Sequence, residues 1–136
     1  MTTKQTLLAL AIALGATANT VFAQSPAAKA TLKKVYPAAT GVKWDKEDGG
    51  YEASFKNGGK SMSLVIDAKG MVKETETDIT VAELPAAVRA YVAKNMPGKK
   101  IKEAAIIVDA TGKKMYEAEV SGKDMLFDEA GVPVKK

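Results

Sequence analysis

Glu74, Glu76 and Asp78 put a carboxylate at every second residue, with Thr75 and Thr77 between them. Alternate residues of an extended strand share a face and stand about 7 Å apart. Carboxylates so placed offer oxygen ligands to a hard cation such as Ca²⁺, but that separation keeps one ion from reaching all three without other loops. The spacing favours the other reading, a solvated strand protected by its charges. A second acidic stretch, Asp45-Lys46-Glu47-Asp48-Gly49-Gly50, lacks the length and the terminal Glu of an EF-hand loop. No metal or other cofactor is assigned from these residues.

The chain contains no His and no Cys. That excludes Ser-His-Asp and Cys-His nucleophile systems, zinc fingers, haem held by either residue, iron–sulfur clusters and disulfides. Arg89 is the single arginine, so a multi-arginine phosphate clamp is excluded as well. An enzyme would have to be built from Asp, Glu, Lys, Ser, Thr and Tyr, as glycosidases and Ser-Lys peptidases are. Those residues are expected in turns or on exposed strand faces, where nothing would shift a pKa, and no catalytic residue is assigned. Trp44, the only tryptophan, alternates with Val42 and reads as a core residue. Tyr51 and Tyr116 recur in similar contexts and read as core or half-core.

Residues 1–23 have the pattern of a secretory signal: Lys4, then an apolar stretch from Leu7 to Ala18, then Val21-Phe22-Ala23 before a cleavage between Ala23 and Gln24. The stretch is shorter than the ~20 residues that span a bilayer. Removal leaves 113 of 136 residues, with 19 basic against 16 acidic side chains. No lipobox Cys follows, so a periplasmic or secreted protein is expected, with no membrane span once mature. Lysine pairs are scattered among acids rather than gathered into a stripe, and no nucleic-acid partner is expected.

The remaining chain reads as one unit used twice. Val35-Tyr36-Pro37 returns as Asn95-Met96-Pro97, Tyr51-Glu52-Ala53 as Tyr116-Glu117-Ala118, and Ile66-Asp67-Ala68-Lys69-Gly70 as Phe127-Asp128-Glu129-Ala130-Gly131. Each unit opens with a helix, one capped by Ser25 and begun by Pro26, the other capped by Thr80 with Glu83 three residues on. Period-two alternation then predicts strands around 42–45, 51–56, 61–66 and 71–79, and again around 101–108, 115–120, 124–128 and 132–134. Gly- and Asn-rich turns separate them. The expected fold class is α+β: a tandem repeat of one helix plus a four-stranded antiparallel β-meander, over 24–79 and 80–136, preceded by a cleaved signal peptide, the two units forming one compact domain.

The helix ending in Tyr36-Pro37, Val42-Lys43-Trp44, Tyr51-Glu52-Ala53-Ser54-Phe55, Glu74-Thr75-Glu76 before Ile79, Leu84-Pro85, and the closing Phe127-Asp128-Glu129-Ala130-Gly131 together resemble the PepSY-like proteins of the β-lactamase-inhibitor-protein-like fold. The resemblance runs over essentially all of residues 24–136. It implies a secreted, non-catalytic module that binds or inhibits another envelope protein, and it carries over no functional residue.

The expected function is therefore a protein-binding module, with an unknown envelope or secreted protein as partner and an envelope hydrolase or peptidase as a possible target of inhibition. Its contact residues are placed on an exposed sheet face and on two hairpin tips, Glu47, Asp48 and Gly49 on one and Asp109 and Thr111 on the other. The alternative is an envelope ligand- or cation-binding protein with a site between two sheets. The Lys-rich last strand with Pro133 discourages edge pairing, so a monomer is expected.

Overall fold

A computed structural model describes residues 24–135. The expected signal segment and its cleavage junction at Ala23 lie outside the described residues. Helix α1 spans Pro26–Val35, and strands β1 to β4 follow at Thr40–Glu47, Gly50–Asn57, Lys60–Asp67 and Val72–Ile79. A 3₁₀ turn at Val81–Glu83 leads into α2, Ala86–Asn95, and then into β5 to β8 at Ile101–Asp109, Lys114–Val120, Lys123–Phe127 and Pro133–Val134.

Local chemistry explains the helix ends. Ser25 Oγ accepts from the Ala28 amide at 3.0 Å, and Pro26 fills the first turn, where a missing N–H leaves no bond unmade. The second helix starts later than its sequence pattern predicts. Thr80 N–H and Thr80 Oγ1 both donate to Glu83 Oε2, at 2.7 and 3.0 Å, but this box closes only the 3₁₀ turn. Leu84 precedes a proline and is forced to an extended ψ of 145°, so α2 begins beyond Pro85.

The expected pair of four-stranded units does not form. Among the described residues all eight strands make one antiparallel sheet in the order β1 to β8, a mostly-β architecture with two short helices. β4 pairs with β5 from Glu74↔Asp109 to Ile79↔Ala104, so the strand expected at the edge of a first sheet lies at the centre of a larger one. The physical reason is that β4 would otherwise leave a row of unpaired amides and carbonyls. The 3₁₀ turn and α2, lying between β4 and β5, give the chain the length to turn back and cover them.

Both helices lie on the same face. Ala28 and Leu32 of α1 pack on Ala53, Phe55, Leu64 and Ile66, while Val88 and Val92 of α2 pack on Ala104, Ala118, Val120 and Phe127. The registers Leu64↔Thr75, Thr77↔Ile106 and Ala104↔Ala118 put all these positions on one side of the sheet. Tyr36 on Phe55 and Tyr91 on Phe127, with ring centroids 5.1 and 5.4 Å apart, fasten the helix C-terminal halves to the sheet.

The β3–β4, β5–β6 and β7–β8 turns share a construction. Asp67, Asp109 and Asp128 each accept, through Oδ1, from the amides two and four residues on. A glycine with positive φ stands three residues after each. At Gly131 (φ 79°) the turn is pressed against α2, and an added Cβ would fall 2.5 Å from Ala87 Cβ. At Gly122 (φ 73°) the conformation is similar but nothing lies within 4 Å. Replacing Gly122 by Ala should therefore cost about 1 kcal/mol for the left-handed backbone alone. Gly131→Ala should cost about 2–4 kcal/mol, because overpacking against the helix adds to the same strain. Urea unfolding of the two variants measures the difference, and equal losses would mean that α2 does not sit on this turn.

Candidate functional site: a carboxylate groove on the open face

On the face opposite the helices the residues alternate with the apolar ones and are mostly polar. β2 contributes Glu52 and Ser54, β3 Ser61 and Ser63, and β4 Glu74, Glu76 and Asp78. Across the central seam Glu76 faces Ile107 and Asp78 faces Ala105, after which Ala105 faces Glu117 and Glu103 faces Glu119, itself opposite Asp124. A groove of about 290 Å³ runs over this face, lined by Glu52, Glu76, Asp78, Glu103, Glu117, Glu119 and Asp124, with Lys102 as its one lining cation. Lys102 Nζ stays 3.9 Å from Glu119 Oε1 on a largely exposed side chain, a surface pair of little energetic weight.

Glu52, Glu117 and Glu119 are buried. Burial in a low-dielectric setting disfavours the charged form, and neighbouring carboxylates add to the effect. Glu76 is pushed up to about 8, first by burial and then by Glu117, Asp78, Glu52 and Glu74. Glu52 rises to about 7 by burial, partly offset by a hydrogen bond with Ser63 and reinforced by Glu47 and Asp45. Burial also raises Asp78, against the opposing pull of Lys56 and Ser61. Glu103 is raised as well, with Glu119 as the nearest charged cause after desolvation. Near neutral pH the groove therefore holds protons, and a bound cation would release them.

The reading of Glu74, Glu76 and Asp78 as a solvated strand protected by its charges holds for Asp78, which is exposed, but not for Glu74 and Glu76, which are half-buried because β4 is central in the sheet. The expectation that no carboxylate has a shifted pKa is overturned. Among the described residues no group of three or more carboxylates is arranged to hold a metal ion. A site between two sheets is removed by the single sheet.

The hairpin tips lie elsewhere. Asp48 and Gly49 form the β1–β2 turn and Asp109 and Thr111 flank the β5–β6 turn, at the same end of the sheet and four strand spacings apart, about 19 Å. Asp109 Oδ1 accepts from Thr111 N–H, Thr111 Oγ1–H and Lys113 N–H at 2.8, 2.6 and 3.0 Å, so its carboxylate closes its own turn. Those bonds hold its pKa below the usual carboxylate range. Glu47 reaches Glu52 at the β1 side of the open face. Trp44, Tyr51 and Tyr116 are half-buried against the helix-side clusters. Glu52, Glu117 and Glu119 were not singled out from sequence. Their signal was there, since each alternates with helix-facing apolar residues, the first two within Tyr-Glu-Ala.

No family model and no curated protein matches the chain. Solved structures do. A Bacteroides eggerthii protein provisionally described as periplasmic is 22% identical, with a TM-score of 0.75 over 84% of this chain and 88% of its own. A DUF2874 family protein of Bacteroides uniformis is 24% identical, with a TM-score of 0.75 over 83% and 88%. A BLIP-like protein of Bacteroides fragilis is 24% identical, with a TM-score of 0.68 over 85% and 86%. The fold is BLIP-like. In this chain the BLIP-like sheet carries its two helices on one face and leaves the carboxylate groove on the other.

Raised and lowered carboxyl pKa values act oppositely on stability. A carboxyl with a folded pKa of about 8 against 4.5 unfolded binds its proton more tightly in the folded state. Its contribution is complete below 4.5 and is lost as pH rises through 8. Asp67, Glu83 and Asp109, whose folded values are lowered, stabilise above their unfolded values and lose that effect as pH falls through the folded ones. Stability should therefore peak near about pH 5 and decline towards about pH 9. Glu76→Gln should flatten the decline and raise stability at the alkaline end by roughly 2–5 kcal/mol. Urea midpoints across that range are the check, and a wild-type profile without alkaline decline would contradict the burial of Glu76.

Proposed function

We propose that the chain is a non-catalytic envelope protein of the PepSY-like group, exported by its first 23 residues, that captures a cationic segment of another envelope or secreted protein in the carboxylate groove. The observation that carries this reading is the charge imbalance of the groove of about 290 Å³, seven lining carboxylates against one lining lysine, Lys102, with Lys56 at its rim 3.0 Å from Ser61 Oγ. A lysine- or arginine-bearing segment laid there would replace protons or solvent cations and supply the counter-charge that Glu76 and Glu52, raised first by burial and then by neighbouring carboxylates, otherwise lack. The polar Ser54, Ser61 and Ser63 along one side supply hydrogen-bonding groups for a peptide backbone. The BLIP-like fold supports the binding role by analogy only, since fold does not set a target. Among the described residues no helix is long and apolar enough to cross a membrane.

A fluorescein-labelled peptide of alternating Lys and Ala, with a Glu-Ala peptide as control, tests the reading by anisotropy. Only the Lys peptide should bind, about tenfold more tightly at pH 9 than at pH 5 and more weakly as salt rises. Glu52→Gln with Glu76→Gln should weaken it by about fivefold or more. Asp48→Lys reports on the β1–β2 tip, and a comparable loss would extend the contact to that hairpin. Equal binding by wild type and the double Gln variant would remove the groove from the account.

A further inference from the structure

The two outer strands of the sheet are built differently. β8 is two residues long and Pro133 withholds an amide hydrogen, so this edge offers almost no template for another strand. β1 runs from Thr40 to Glu47, is mostly exposed and pairs only with β2. A bulge between Thr40 and Lys43, with Gly41 at φ 63°, interrupts its first part. The regular ladder with β2 covers Lys43-Trp44-Asp45-Lys46-Glu47. Along this segment the outer backbone groups meet no strand among the described residues. The Pro133 argument for a monomer thus applies to one edge and leaves the other open.

Side chains on β1 alternate between the faces. Lys43 and Asp45 stand opposite Ser54 and Glu52 on the carboxylate face, and Trp44 stands opposite Ala53 on the helix face. Two copies joined through this edge by a two-fold axis normal to the sheet would run antiparallel. Each face must continue as the same face, so one residue stands opposite its own copy across the axis. Centred on Lys43, the pairing sets lysine against lysine. Centred on Asp45, it sets Lys43 of each copy against Glu47 of the other but aspartate against aspartate at the axis, with a Glu52 behind each. Centred on Trp44, it sets Lys43 of each copy against Asp45 of the other, and the two Trp44 rings become cross-strand neighbours on the helix face. Only this register puts a cation beside Asp45, whose neighbour across β2 is the buried Glu52.

We propose that β1 is a homotypic docking edge, through which two copies of this chain pair antiparallel in the register centred on Trp44, selected by two Lys43–Asp45 contacts. The product is a sixteen-stranded sheet with both carboxylate grooves on one face. Three residues per copy, 43 to 45, lie in the regular ladder of both copies, since Lys46 and Glu47 would face the bulged Val42 and Gly41; the contact is far smaller than the roughly 1,200 Å² of stable complexes, so the association is weak and concentration-dependent. The proposal does not depend on what the grooves bind.

Sedimentation velocity on purified wild type, Lys43→Asp and Asp45→Lys tests it, with the emission of Trp44, the sole tryptophan, as a second readout. Both substituted positions are exposed, and thermal melts confirm that folding is retained. Wild type should shift from monomer towards dimer with a midpoint on the order of 100 µM at low salt, and Trp44 emission should move to shorter wavelength with it. Each single variant should associate about tenfold more weakly, since acid then faces acid or lysine faces lysine. An equimolar mixture of the two should recover near-wild-type association, because the edge of one variant is acidic at both positions and the edge of the other is basic at both. Wild type that stays monomeric to about 1 mM, or a mixture no better than its components, would overturn the proposal.

Discussion

Six residue pairs between β4 and β5, from Glu74↔Asp109 to Ile79↔Ala104, join the two halves of the chain, and the environment of Glu76 at the middle of the open face follows from that seam. With the seam closed, Glu76 has a strand on each side, with Ser63 opposite it in β3 and Ile107 opposite it in β5. Without it, Glu74, Glu76 and Asp78 would point from an edge strand into water and would ionise as ordinary carboxylates. The same pairing carries Glu117 close enough to raise the pKa of Glu76, although 41 positions separate them in the sequence.

The two faces of the sheet divide the physical work. The helix face holds the apolar stabilisation, in clusters around Phe55, Leu64 and Ile66 under α1 and Val88, Val120 and Phe127 under α2. The open face concentrates like charge where solvent is partly excluded, which costs stability whenever those groups ionise. Local rules that are broken in one place while the rest of a chain obeys them mark functional surfaces. Here the broken rule is the burial of Glu52, Glu117 and Glu119 around Glu76, with only Lys102 among the lining residues and Lys56 at the rim to oppose their charge.

Much of the fold was readable from residue types, because the strands obey period two and the turns obey backbone chemistry. Asn57-Gly58-Gly59 and the Asp67, Asp109 and Asp128 turns fall where positive φ and side-chain acceptors are needed, and Ser25-Pro26 marks a helix start. The start of α2 differs from its sequence pattern because a capping box names a helical turn without fixing its length, and Leu84 before Pro85 ends that turn. Strand partnership was not readable. Periodicity along β4 records which residues share a face, and nothing local records that β5, more than twenty residues on, lies beside it. The groove was hidden for the same reason: Glu52, Glu76 and Glu117 each look like the solvated member of an alternating strand until three strands are placed in one sheet.

The central claim is that the β4–β5 seam encloses Glu76 among other carboxylates, and carbon-detected NMR titration of the Glu76 side-chain carboxyl tests it most directly. A midpoint near neutrality or above, towards about 8, is the expected result. A midpoint at the ordinary 4.5 would place Glu76 in open solvent and contradict both the single sheet and the groove built on it.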